Sequence, residues 1–149
     1  MKLLMSVSAV AVLLAMSARA EAPAKLPGLD DAVTVEVADA KWIVPPIPGF
    51  PAGPLASPIA VDPATGAQIG YVKLPAGFKF PEHWHSTTEY ATVISGKATL
   101  IIEGKAHEEQ PGSYAVLPPK TKHSVQCAAG ADCILIVRRS GKTDYNWVK

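Results

Sequence analysis

Four residues in the middle of this 149-residue chain, His83, His85, Glu89 and His123, have the chemistry of a metal site. In an extended strand successive side chains point to opposite faces, so His83 and His85 share one face and Trp84 takes the other. Two imidazoles therefore stand side by side. Glu89 follows beyond the polar corner Ser86-Thr87-Thr88, where a turn can carry its carboxylate back toward the pair. Neutral imidazole nitrogens with one carboxylate suit a divalent first-row transition ion (Fe, Mn, Ni, Cu or Zn), whereas Ca and Mg prefer oxygen shells. One such ion per chain is the expectation.

The residues around the four are spaced just as regularly. Gly77 is followed by five residues, His83-Trp84-His85, three residues, Glu89, six residues and Gly96, and a second block runs from Gly112 through five residues to Pro118 and on to His123. The first block resembles the first cupin motif at every fixed position. The second resembles the second cupin motif, with Lys120 where that family usually has glycine and Cys127 where it often has asparagine. The resemblance covers residues 77–127. It implies an all-β fold, a single cupin barrel of the double-stranded β-helix or jelly-roll type, in which His83, His85 and Glu89 meet His123 from another strand.

An activity is implied with it. Cupins with this ligand set often leave coordination positions open for O₂ or a bidentate substrate, so dioxygenase-type oxidation of a small molecule, with Fe or Mn as the favoured ion, is the leading reading. Isomerase or lyase chemistry is equally compatible with the site, with Glu89 the candidate base. The competing reading is a non-catalytic cupin that captures a small ligand, holds a metal or senses, because fold alone does not fix function.

Strands must position these groups. Residues 67–74, 89–95, 97–102, 114–117, 123–127 and 133–138 are short runs rich in β-forming residues with Gly or Pro between them, and each is expected as a strand. Ser95-Gly96 and Glu103-Gly104 read as tight turns. No amphipathic helical stretch appears after residue 21. No internal repeat is visible, so residues 67–149 are expected to make one barrel with its metal core at 77–127. Ahead of it lies segment 21–66. There Val33 to Val37 (VTVEV) is expected as an edge strand, open to pairing with a second copy of the chain. Residues 45–63 hold seven of the 14 prolines and are expected as an extended arm, neither helix nor central strand, since proline has no N–H for a ladder.

The first 20 residues serve another purpose. Lys2, an apolar stretch from Leu3 to Met16 and the small-residue signature Ala18-Arg19-Ala20 read as a cleaved secretory signal peptide, too short in its apolar part for the ~20 residues of a spanning helix. No stable membrane anchor is expected after cleavage, and in a Gram-negative bacterium the product would reside in the periplasm. Cleavage removes Lys2 and Arg19, leaving 12 basic residues from the original 14 against 13 acidic ones, scattered without a basic patch. Nothing in that balance favours nucleic acid, and a small molecule is the expected partner. A homodimer is the other partner expected.

Cys127 and Cys133 are the only cysteines. An even count in an exported protein favours a disulfide, here read as closing a hairpin across Ala-Ala-Gly-Ala-Asp. The alternatives are a cavity-facing thiol at Cys127, which lies an even four residues beyond His123, and thiolate ligation of the metal. His107 reads as a surface histidine, and Tyr71, Trp84, Tyr90 and Tyr114 as core or surface aromatics. The N-terminal reading has a direct consequence. Intact-mass measurement on protein from its native compartment is expected to show a chain starting at Glu21; a mass retaining Met1 to Ala20 would make the segment an anchor.

Overall fold

Short β-forming runs separated by Gly, Pro and polar turns recur along the chain, and in the computed structural model, which describes residues 25–149, they form ten strands. The signal peptide read at 1–20 lies outside the described residues. The strands are β1 (Leu55–Val61), β2 (Gln68–Leu74), β3 (Lys79–Trp84), β4 (Glu89–Ser95), β5 (Ala98–Ile102), β6 (Lys105–Glu109), β7 (Tyr114–Leu117), β8 (His123–Cys127), β9 (Cys133–Arg139) and β10 (Asn146–Trp147). They pair antiparallel in two five-stranded sheets, ordered β1-β2-β9-β4-β7 and β10-β3-β8-β5-β6. Apart from the hairpins β1–β2 and β5–β6, successive strands cross from one sheet to the other, which is the jelly-roll path of a cupin barrel. The fold is all-β as the sequence implies.

The core lies between the sheets. Leu74, Phe80, Val93, Ala98, Leu135 and Val137 are buried there, contributed by strands of both layers. On β9 the period of two is unbroken: Cys133, Leu135, Val137 and Arg139 are buried while Ile134, Ile136 and Arg138 face outward.

Three elements differ from the sequence reading. The proline-rich stretch is not all arm: residues 55–61 form β1, at the edge of the first sheet, and Pro58 sits where the β1–β2 register shifts. An edge strand with a bulge tolerates proline, because the missing N–H need not pair. Val33 to Val37 forms no strand. Instead Val35 and Val37, with Ala40 and Trp42, pack over Ile59 and Tyr71 on the outer face of the first sheet, and the Tyr71 hydroxyl donates to Val35 O at 2.7 Å. The alternation in VTVEV reflects one side lying on a sheet face, which mimics strand periodicity. The third difference concerns the cysteines. Cys127 and Cys133 are disulfide-bonded and fully buried, but β8 and β9 belong to opposite sheets, so the bridge ties layer to layer and closes no hairpin.

That bridge sits at the end of the barrel away from His123. Four residues of strand, at ~3.3 Å each, separate Cys127 from His123, so the disulfide holds the floor of the barrel while the histidine stands at its mouth. Gly96 packs against the same floor. Its φ is +82°, and a Cβ there would lie 2.8 Å from Asp132 O and 2.9 Å from Cys133 Sγ. Gly96→Ala is therefore expected to cost about 2 kcal/mol or more, from backbone strain plus contact with backbone that cannot yield. Urea unfolding of the variant measures it, and a midpoint equal to wild type would show that the floor relaxes freely.

Candidate metal centre

The three histidines meet because of strand register. His83 on β3 lies directly across from His123 on β8 in the second sheet, and His85 follows β3 by one residue, again on the inner side of the chain. The ring centroids are 4.3 Å apart for His83 and His123, 4.8 Å for His83 and His85, and 5.3 Å for His85 and His123. One nitrogen from each ring falls within 4.8 Å of the other two, and all three residues are buried. Facing them from the first sheet, Glu89 on β4 pairs in register with Arg139 on β9. The structure thus brings together all four residues singled out in the sequence, and adds Arg139.

Hydrogen bonds fix the imidazoles in one tautomer. Nδ1 of His83 faces Pro81 O at 2.8 Å, Nδ1 of His123 faces Thr121 O at 2.9 Å, and Nδ1 of His85 contacts Asp144 O. A carbonyl only accepts, so each Nδ1 carries a proton, and in the neutral ring the lone pair is then left on Nε2. Burial pushes the His83 pKa down to about 3, helped by the neighbouring His123, and burial lowers His123 as well. Neutral rings with fixed tautomers are what a metal ligand requires. The unpaired atoms agree. His123 Nε2 is buried without a hydrogen-bond partner, and Glu89 Oε1 lies 3.7 Å from it. A cation between these two atoms satisfies both, so the residues present fit a transition ion.

Glu89 has two differently engaged oxygens. Oε2 is ion-paired to Arg139 Nη2, while Oε1 lies 3.7 Å from His123 Nε2. Burial by itself would raise the Glu89 carboxyl, but the Arg139 guanidinium, assisted by the histidines, holds it well below the usual carboxylate range. Burial likewise works against the Arg139 charge, and Glu89 more than restores it. Arg139 Nη2 also donates to Tyr145 OH at 3.1 Å and lies 3.4 Å from His85 Nε2. Tyr145 stacks on Trp147 with centroids 5.2 Å apart, and Trp147 pairs in register with His83. The C-terminal segment therefore covers one wall of the site. It is anchored by the Asp144 carboxylate, which accepts from Ser86 N at 3.0 Å and Ser86 Oγ at 2.6 Å.

Sequence reasoning missed Arg139, Asp144, Tyr145 and Trp147. Arg139 had a signal: it continues the inward series from Cys133 by steps of two, one residue past the strand end expected at 138. The C-terminal residues had none, because β10 is two residues long. The other singled-out residues lie elsewhere. His107 is exposed on β6, Tyr71 is buried on the outer face of the first sheet, and Tyr90 and Tyr114 stack on that face with centroids 6.4 Å apart. Cys127 has no free thiol, since its sulfur is bonded to Cys133. Lys120 adopts φ +68°, the conformation the usual glycine would take, and its N–H donates to His85 O at 2.8 Å. The turn that holds His85 keeps its shape despite the substitution.

Two antiparallel sheets rolled around an inward-facing histidine cluster define a jelly-roll barrel with its site inside one end. Residues 70–137 match the family model for the cupin domain, and the barrel built around them has the cupin fold. Among solved structures it is similar to the polyketide cyclase RemF from Streptomyces resistomycificus, at 19% identity and TM-score 0.64 over 80% of this chain and 87% of that one. It is also similar to KdgF from Halomonas sp., at 17% identity and TM-score 0.60 over 73% and 94%. The DMSP lyase DddQ from Ruegeria pomeroyi DSS-3 follows at 19% identity and TM-score 0.60 over 74% and 62%. No curated protein matches the chain.

The Glu89–Arg139 pair makes a thermodynamic prediction. Glu89→Gln leaves a buried guanidinium without its counter-charge and is expected to cost about 3–5 kcal/mol of stability in metal-free protein, whereas the double change with Arg139→Gln should recover part of that loss. A double-mutant cycle by denaturant unfolding measures the coupling; additive losses would mean the two charges do not stabilise each other.

Proposed function

We propose that this cupin is an exported, metal-dependent enzyme acting on a small molecule inside the barrel, with one divalent transition ion held by His83, His85, His123 and Glu89 Oε1. One observation carries the reading. Three buried imidazoles, each locked by a backbone carbonyl at Nδ1, turn their other ring nitrogens toward a common point. A structural cluster of neutral histidines would instead spend those nitrogens on hydrogen bonds, and His123 Nε2 has none. Support for a small-molecule substrate comes from the similar structures, among them a polyketide cyclase and a DMSP lyase.

Iron or manganese is the proposed ion and dioxygenase-type oxidation the proposed reaction. Such an ion supplies O₂ activation and an open face for substrate oxygens. This chain's own residues do the rest. Arg139 keeps Glu89 ionised and fixes the rotation of its carboxylate. Leu74, Val93, Leu100, Leu135 and Val137 give the cavity apolar walls that exclude bulk water. Asp144 O orients His85, and Tyr145 presents a buried hydroxyl beside Arg139. The cavity is small, about 60 Å³, room for a few waters at ~10–15 Å³ each or a ligand of a few heavy atoms.

One observation favours the second reading, ligand capture without turnover. Glu89, the residue offered by the sequence as a base, is held by Arg139 with its carboxyl pKa lowered, and a carboxylate so stabilised is a weak proton acceptor. The proposed location outside the cytoplasm rests on residues 1–20 and on the two cysteines. A homodimer is proposed on the outer face of the first sheet, where Ile94, Tyr114 and Val116 are 40%, 63% and 50% exposed beside the edge strand β7.

Elemental analysis of native protein tests the metal, with one Fe or Mn per chain expected. His85→Ala is expected to lose most of the metal and, in the same sample, the thermal stabilisation that metal confers, since an ion bound only by the folded state stabilises it by mass action. Full occupancy in that variant, with unchanged affinity, would falsify the ligand assignment.

A further inference from the structure

Two buried nitrogens of the site lack hydrogen-bond partners, His123 Nε2 and Arg139 Nε. They ask for opposite things. Imidazole Nε2 offers a lone pair, which a metal ion satisfies. Arg139 Nε carries a hydrogen and can only donate, so no cation satisfies it; an acceptor is needed. A buried donor left unpaired costs roughly 1–3 kcal/mol, which is reason to expect a partner that arrives with the ligand.

The charges point the same way. With a divalent ion in place, the Glu89 carboxylate offsets only the guanidinium of Arg139, and the ion's own charge is left uncompensated between apolar walls. Glu109 also lines the cavity, but it pairs in register with Ala98, which in turn lies opposite Cys127 at the floor of the barrel. That position is about four strand residues, ~13 Å, from the level of His123. The metal's charge must be balanced from within the cavity mouth. A planar guanidinium selects planar oxyanions, because its N–H groups match the two oxygens of a carboxylate.

Building on the metal reading above, we infer that the site takes a small carboxylate-bearing ligand, its carboxylate bound by Arg139 beside the metal and its remainder apolar. The Tyr145 hydroxyl accepts from Arg139 Nη2, so its own hydrogen is free to donate to the same anion. The apolar remainder fits the leucine and valine walls, and the cavity of about 60 Å³ limits it to a few carbons.

The test uses full-length protein loaded with Co²⁺, whose visible spectrum reports ligands near the ion. Isobutyrate is titrated against isobutyramide, which has the same shape without the charge. Isobutyrate is expected to bind at least tenfold more tightly than the amide, and Arg139→Gln is expected to weaken isobutyrate at least tenfold while Co²⁺ is still taken up. Equal binding of acid and amide overturns the inference. So does an Arg139→Gln protein with wild-type affinity for isobutyrate, since the metal alone would then hold the anion. If Arg139→Gln fails to fold, Arg139→Lys decides: it keeps the charge but lacks the planar fork, so weaker isobutyrate binding supports the inference and unchanged binding overturns it. A wild-type protein that takes up no Co²⁺ removes the metal reading itself, and this inference with it.

Discussion

The structure is organised around a buried ion pair, Glu89 with Arg139, set opposite three buried histidines. Moving two charges from water into a barrel interior is expensive, and the cost is met only when geometry and additional hydrogen bonds are good. Here the pair consists of register partners on adjacent strands, so the sheet ladder itself holds them together. The opposite sheet does the same for His83 and His123. Each half of the site is thus assembled by backbone hydrogen bonding, and the two halves face each other because the sheets pack.

This arrangement divides the barrel along its length. At one end the inward positions of β4, β8 and β9 carry Glu89, His123 and Arg139; at the other, β8 and β9 carry Cys127 and Cys133, joined by the inter-sheet disulfide. Between them the same strands present apolar side chains. A cross-link at the floor lets the mouth remain polar, because the sheets need not be held together by apolar contact alone where the site interrupts it. Tight packing of Gly96 against Cys133 belongs to the same floor.

The N-terminal segment and the C-terminal segment act on opposite sides. Val35, Val37 and Trp42 cover the outer face of the first sheet, where they shield Tyr71 and the outward isoleucines of β9. Asp144, Tyr145 and Trp147 return to the inner side and complete the wall around His85 and His83. One stabilises the scaffold and the other shapes the site, though neither belongs to the strands most apparent in the sequence.

By itself the sequence determined the fold class and the four residues at the centre. Glycine and histidine spacing is a local property, and the period of two that puts His83 and His85 on one face follows from the strand backbone. It also determined most inner strands, since their β-rich runs are bounded by Gly or Pro. What it could not carry was partnership. That Glu89 faces Arg139, that the cysteines link two sheets, that VTVEV lies on a sheet face and that Tyr145 returns beside His85 all depend on which strands become neighbours. Those contacts join residues distant along the chain, and their identity is fixed only when sheet order and register are fixed, which is a property of the packed barrel and of no single segment.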